Sequence, residues 1–535
     1  MLLISTFAAL ISFMIKKYLL FIIFFAAIAG CKKEVTIKTP VTPPVTPPVA
    51  AADSVFFTSV KLEAKKNPGV ITKDVVCNIT KDQVTAVIPQ MEKLTKKLVV
   101  TFTTKNSTVT KNDTIQVSGT TAVDLRKPVT YTLTSARGTT RNYTFSVKMF
   151  TGLPVLYLTT DGPVVSKDNY VNGSLVVDAN NSFVQEKTDI ALKIKGRGNS
   201  TWSNFPKKPY RLKFSDKAAM LGMPAAKNWV LLANYDDKTL LRTRIAFEFA
   251  RRIGSDYAPE SRFVEVVMNG KFLGNYLLTS QVEVHENRVN ITEMTDNDNS
   301  GDALTGGYLL ELDQRKDEKF WFVTKKGLPF TLKSPEETTP AQLKYIQNYM
   351  QATEDALFAN NANDPVNGYA KYIDVESFMN WFFVEEVVKN QDARDFSSIF
   401  YYKNRKGKLG MGPVWDFDLS AGNVDYSVSK EPNNWYIRDA TWMIRLFKDV
   451  AFRSKVKKRW NEIRGTAVEA IFKDIDENAA YLKLSQQQNF TKWPILDKYV
   501  WPNAVVLGNY DLEVAYAKNF LTQRIAWIDA EIANY

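Results

Sequence analysis

The side chains most able to do chemistry in this 535-residue chain are carboxylates and cations, since histidine occurs only once. Two acidic stretches lead. Asn390-Gln391-Asp392 ends an apolar run, and Gly412-Pro413-Val414-Trp415-Asp416-Phe417-Asp418-Leu419 sets two carboxylates around a phenylalanine. Carboxylates in apolar surroundings are costly unless paired or metal-bound. Two apart, Asp416 and Asp418 share a face of an extended segment and can both reach one metal. A bend instead leaves one on the metal and the other bracing it. Hard Mg2+ suits such oxygen donors. A structural pair held by nearby arginines is the competing reading. The cationic counterpart is Lys195-Gly196-Arg197-Gly198-Asn199-Ser200-Thr201-Trp202. Its two glycines let backbone approach a phosphate while Arg197 brings charge; a tight turn accounts for the same residues. Shortly after, Lys207, Lys208, Arg211 and Lys213 sit on and before one strand, the last two opposite Leu212.

The single histidine, His285, excludes sites built from two or more imidazoles and reads as an exposed loop residue. A net charge of +12 arises from 69 Lys+Arg against 57 Asp+Glu, dispersed with no arginine-rich arm, so nucleic acid is not expected as a partner. Asp296-Asn297-Asp298-Asn299-Ser300-Gly301-Asp302 imitates the first half of a Ca2+ loop. The twelfth position is Gly307 where glutamate is needed, so a solvated turn is preferred to Ca2+.

The elements that must position these groups follow an address. Lys16-Lys17, an apolar stretch from Tyr18, and Ile28-Ala29-Gly30-Cys31 read as a lipoprotein signal over 1–30, with Cys31 the lipidated residue. Residues 31–52 follow as a proline-rich, polyproline II stalk. The chain is therefore expected to be extracytoplasmic and tethered by lipid, with the outer membrane as its place. Residues 53–150 carry short Val/Thr/Ile runs that predict a small all-β sandwich, with Cys77 buried in it. Residues 151–535 turn mixed α+β. Strands are expected at Ile190–Ile194, Pro209–Phe214, Trp229–Leu232, Phe263–Met268, Asn275–Leu278, Gly306–Leu312 and Phe396–Tyr402. Helices are expected at Thr239–Arg252, Ala341–Phe358, Val375–Lys389, Ser454–Asp474 and Leu512–Ala533. Strand-rich first and helix-rich second implies two lobes with a cleft between them.

From about Val155 onward the chain resembles the CotH family of atypical, extracytoplasmic kinase-like proteins. The resemblance rests on Lys195–Trp202 with Pro206-Lys207-Lys208, Leu221–Trp229, Asp236–Arg242, Asn269–Tyr276 and Trp415–Asp418. It implies a divergent two-lobed kinase fold with a helical C-terminal lobe, using ATP and Mg2+ (or Mn2+) to phosphorylate Ser/Thr of surface or secreted proteins. The N-terminal β region resembles Ig-like accessory domains on surface lipoproteins of Bacteroidetes-type bacteria. By motif, Asp392 resembles the catalytic aspartate, and Asp416 or Asp418 the metal-binding carboxylate, Asp416 preferred. Lys208 is the nucleotide-phosphate lysine expected from the resemblance, with Arg197 and Arg242 as secondary phosphate or bracing contacts. Two departures stand against activity: Ser397, then Ser398, where kinases place a metal-binding asparagine, and Ser280 where relatives often carry an acid. A catalytically inactive surface protein of the same fold is the alternative.

Overall fold

The computed structural model describes residues 55–68, 71, 74–86, 97–125, 127–147, 151–180 and 182–535, all within one compact unit, Ser54–Tyr535. The expected signal, Cys31 and the proline-rich stalk lie outside the described residues.

Residues 55–147 fold as strands because their apolar side chains recur every second position. Val129–Ser135 buries Tyr131, Leu133 and Ser135, and Thr140–Val147 buries Tyr143, Phe145 and Val147. These two strands pair antiparallel inside a six-stranded sheet, which faces smaller three- and two-stranded sheets. Phe57 packs edge-on against Tyr143, with ring centres 5.0 Å apart. Cys77 is buried here, and burial pushes its thiol up to about 12. Three further side chains complete this core: Val155, Val267 and Phe272, all supplied by the structure that follows.

That structure is a closed seven-stranded barrel. Its strands are β1 (Val155–Thr160), β2 (Val171–Asp178), β3 (Asp189–Gly196), β4 (Tyr210–Met220), β5 (Met223–Leu232), β6 (Ser261–Met268) and β7 (Lys271–Ser280). They run in the order β1-β2-β3-β4-β5-β7-β6, with β1 closing parallel onto β6. β3 turns Ile190, Leu192 and Ile194 inward and leaves Ala191 and Lys193 exposed. β6 and β7 are buried on both faces, since Val264 and Leu278 fill the barrel while Phe263 and Leu277 join the larger core outside it. Helix α1 (Arg242–Arg252) connects β5 to β6.

The rest of the chain builds a five-stranded sheet and a helical mass. The sheet has the order β9-β10-β8-β11-β12, from β8 (Tyr308–Leu312), β9 (Trp321–Val323), β10 (Pro329–Ser334), β11 (Ile399–Lys403) and β12 (Leu409–Met411). The helices are α2 (Pro340–Phe358), α3 (Val375–Val388), α4 (Val450–Ile463), α5 (Glu469–Tyr481), α6 (Lys483–Lys492) and α7 (Tyr510–Ala533). α3 is buried almost all round, as a helix apolar on every face must be. Among the described residues no helix is long and apolar enough to cross a membrane.

Three expectations are revised. The single helix expected over Ser454–Asp474 is two, α4 and α5, joined by a π-helical turn at Arg464–Val468. Thr466 Oγ1 donates back to the carbonyls of Glu462 (3.2 Å) and Ile463 (3.3 Å), competing with the regular ladder there. α1 starts at Arg242 rather than Thr239, because the Asp237 carboxylate takes the Thr239 and Arg242 amides (3.0 and 2.9 Å) and fixes a loop first. β1 and β2, absent from the expected strands, are needed to close the barrel.

Candidate functional site

A cleft of about 390 Å3 lies where the ends of β3 and β4 meet the five-stranded sheet and the loops after α3 and β12. The loop after α3 begins when Lys389 adopts a left-handed conformation (φ 51°) and its ammonium donates to the Glu431 and Asn433 carbonyls (2.8 and 2.5 Å). Asp392 follows, and the β11–β12 hairpin separates it in sequence from Asp416. Main-chain bonds lace the two loops together: Gln391 N to Leu419 O (3.1 Å) and Ala421 N to Val388 O (2.7 Å). Asn390 adds a side-chain link, its Nδ2 donating to Asp416 O (3.0 Å) and to Glu385 Oε2 (2.9 Å).

Asp416 is itself left-handed (φ 68°), a conformation that costs a residue with a Cβ about 1–2 kcal/mol. The segment is therefore bent, and the two aspartates take different partners. Asp416 Oδ2 accepts from Ser398 Oγ (3.2 Å), while Asp418 Oδ1 accepts the Leu419 amide (3.0 Å). Burial, then repulsion from Asp416, pushes the Asp392 carboxyl up to about 7, and Arg315 opposes the shift. Asp236 is also pushed up to about 7 and Asp418 well above the carboxylate range, burial first in both. Facing carboxylates add to the effect.

Cations line the same cleft. Lys195 on β3 and Arg211 on β4 are cross-strand partners, and both line the cleft with Arg197. Burial and Arg211 together hold the Lys195 ammonium below its usual range, and it lies 4.9 Å from the centre of the Tyr170 ring. The Arg197 guanidinium sits 5.6 Å over Trp415, burial lowering it while Asp416 and Asp418 oppose. The five-stranded sheet contributes two ion pairs, Glu311–Lys333 (3.4 Å) and Asp313–Arg315 (3.3 Å).

Of the residues expected from the sequence, Asp392, Asp416, Asp418 and Arg197 meet in this cleft. The others are placed elsewhere. Lys208 donates to the Trp202 carbonyl and lies over the Trp202 ring (5.4 Å), outside the cleft lining. Arg242 is a buried brace: it pairs with Asp237 (2.6 Å) and donates to the Ser420 and Ala421 carbonyls (2.9 and 3.3 Å), fixing the chain just after Asp418. Ser397 is buried away from the cleft, and its neighbour Ser398 reaches Asp416 instead. In the Asp296–Asp302 loop, Asp298 pairs with Arg405 (3.0 Å) and Asp302 with Lys406 (2.5 Å), so both carboxylates are held by cations of the chain. His285 Nδ1 accepts the Asn287 amide (3.1 Å) within its own turn.

Sequence reasoning named Lys195 and Arg211 within cationic stretches but gave them no role in the site, and it passed over Asp236 as a site acid and the Glu311–Lys333 pair. Signals existed for three of these. Lys195 opens the same glycine-flanked motif as Arg197, Asp236 opens the Asp236–Arg242 stretch, and Glu311 is the one acid in an otherwise apolar strand.

Among the described residues no three His, Cys, Asp or Glu side chains form a ready-made metal cage. Mg2+ does not need one, since it keeps several waters and binds through one or two carboxylates plus substrate phosphates. Asp416, with Asp418 or Asp236 beside it, fits that donor set. These crowded carboxyls repel one another, and a divalent cation would relieve it. The Lys195–Arg211 pair would meet phosphate oxygens in the same cleft.

Comparison with curated proteins gives no match. The family described as CotH kinase protein matches residues 194–528, over half of the chain, and that span takes in Lys195, Arg197, Asp236, Asp392, Asp416 and Asp418. The chain belongs to the CotH kinase protein family.

Proposed function

We propose that this chain is a lipid-anchored, extracytoplasmic protein kinase that transfers the γ-phosphoryl group of ATP to Ser or Thr hydroxyls of surface or secreted proteins. One observation carries the reading: Asp392 and a left-handed Asp416 line a single cleft together with the cross-strand pair Lys195–Arg211. Phosphoryl transfer asks of a protein mainly positioning and charge neutralisation, and this arrangement offers both. Bound MgATP would supply the phosphoryl group and the charge that Asp416 is placed to hold. Lys195, Arg197 and Arg211 orient phosphate oxygens. Asp392 takes the proton of the acceptor hydroxyl, and a carboxyl pushed up to about 7 is near the optimum for accepting it at neutral pH. Asn390 keeps Asp416 facing the cleft.

On this reading 53–150 is an Ig-like module and 151–535 a two-lobed kinase-like unit. The basic-apolar leader, Cys31 and the proline-rich stalk support an anchored protein of the outer membrane. The second reading, an inactive surface protein of the same fold, is favoured by Ser397, then Ser398, standing where an amide ligand would be expected, and by Ser280 in place of an acid. Ser397 is buried and only a hydroxyl, that of Ser398, meets Asp416.

The test is auto-phosphorylation of the full chain with labelled ATP and Mg2+ or Mn2+. Label is expected, and Asp392→Asn or Asp416→Asn should each lower it at least ~10³-fold. No label, together with no nucleotide-induced rise in Tm, refutes the kinase reading. Label that survives both substitutions refutes the site assignment.

A further inference from the structure

Six aromatic side chains among the described residues are more than two-fifths exposed: Trp321, Phe396, Tyr426, Tyr481, Tyr499 and Trp501. Four of them border the cleft. Trp501 lines it directly. Tyr426 stacks on Trp501, with ring centres 5.9 Å apart and planes 10° from parallel. Tyr499 donates its hydroxyl to Asp425 Oδ2 (2.6 Å), which ties the 499–501 segment to the 425–426 segment. Phe396 carries the guanidinium of the cleft residue Arg315, 5.2 Å over its ring. Val428, 65% exposed, extends the same segment. Burial and then the Asp392 charge oppose ionisation of the Tyr426 hydroxyl, so this ring lies within electrostatic range of that carboxylate.

An exposed Tyr–Trp stack has its flat faces fixed but wet, and apolar area of this kind gathered at one place usually awaits a partner. Two of the charges beside it are already engaged. Asp425 is engaged by Tyr499, and Arg315 by Asp313 and Phe396. What the surface still offers is aromatic and aliphatic area, continuous with the cleft in which a hydroxyl would react.

We propose that Tyr426 and Trp501, with Val428, form a docking lip for the acceptor segment of the protein substrate, receiving an aromatic side chain a few residues from the Ser or Thr. This rests on the phosphotransfer reading. The substrate is then an extended segment in which the acceptor hydroxyl reaches Asp392 while the ring packs on the lip. A folded, wholly polar surface would fit poorly.

The experiment uses three fluorescein-labelled peptides that share one acceptor serine and differ at one nearby position, occupied by phenylalanine, alanine or lysine. Binding to the full chain is followed by fluorescence anisotropy without ATP. The phenylalanine peptide is expected to bind roughly tenfold more tightly than the alanine peptide, the size of one well-placed aromatic contact. Trp501→Ala combined with Tyr426→Ala should bring the ratio close to one, whereas Trp501→Phe, which keeps a flat ring, should retain much of it. Equal binding of the phenylalanine and alanine peptides overturns the proposal. So does tighter binding of the lysine peptide, or discrimination that survives the double variant. If the phenylalanine peptide docks as expected yet never takes label with ATP and Mg2+, the phosphotransfer reading fails and the lip stands as a binding surface.

Discussion

Asp392 in the cleft and Glu265 on β6 are both carboxyls that burial pushes up to about 7. Their surroundings differ. Asp392 opens onto a space of about 390 Å3 and is flanked by further acids. Glu265 is 0% exposed, close to Ser485 of α6, Thr151 and the equally buried Lys207. Lys207 in turn donates to the Asn275 carbonyl (2.5 Å) and to Asn489 Oδ1 (2.8 Å), so it joins the barrel to α6. A shifted carboxyl alone does not mark a functional site. In the cleft, like charges are crowded and open to a ligand. Under α6, one acid and one base are buried together and closed off.

The comparison is broken or sharpened first by stability. Lys207→Ala leaves the Asn275 carbonyl and Asn489 Oδ1 without their buried donor, and should cost about 2–5 kcal/mol, read as a large drop in Tm. Asp418→Asn removes one of several facing acids and should leave Tm unchanged or raise it. If the two variants destabilise equally, the distinction between the regions is lost. A smaller effect is expected at Asn390, whose amide holds Asp416 from behind. Asn390→Ala should lower label transfer roughly 10–100-fold, as loss of outer-sphere support typically does, and reduce the Tm rise given by Mg2+ and nucleotide. An unchanged nucleotide-induced rise would mean that Asp416 needs no such support.

The smallest effect is a pH slope. The folded-state pKa of Glu265 is raised, so the native chain holds an extra proton between about 4.5 and about 7, and stability falls as pH rises through that window. Lys207 is lowered to about 7, so between about 7 and 10.5 the unfolded chain binds the extra proton and stability rises with pH. Denaturation across pH should therefore show this pair's contribution weakest near neutrality. Glu265→Gln should flatten the acid side alone. A slope that is unchanged in Glu265→Gln would assign the acid-side dependence to other groups.

Local pattern made much of this architecture readable. α2, α3 and α7 fall within two residues of their expected bounds, because each carries apolar side chains over several turns, all round the helix in α3. The acidic loops were readable too, since carboxylates beside tryptophan and phenylalanine need a reason to be there. Barrel closure was not readable, because β1, besides pairing with the next strand β2, must pair with β6, more than a hundred residues later in the chain. The lysine facing the cleft was misplaced for a related reason. Lys207, Lys208, Arg211 and Lys213 look alike in sequence, yet one is sealed under α6, one lies on Trp202 and only Arg211 among them reaches the cleft. Strand register and the position of a distant helix decide among them, and neither is written locally.

The core of the N-terminal strands is finished by Val155, Val267 and Phe272 of the barrel. A module with a self-sufficient interior can be traded between proteins or trimmed away at little cost. This one cannot, because a cut at Gly152 would strip the cover from three side chains of the barrel whose β3 and β4 carry one wall of the cleft. Anyone shortening the chain should keep everything from Val55 onward. The two parts face the same constraint in descent: a change at their shared surface in one must be answered in the other, and they are expected to be inherited as a pair.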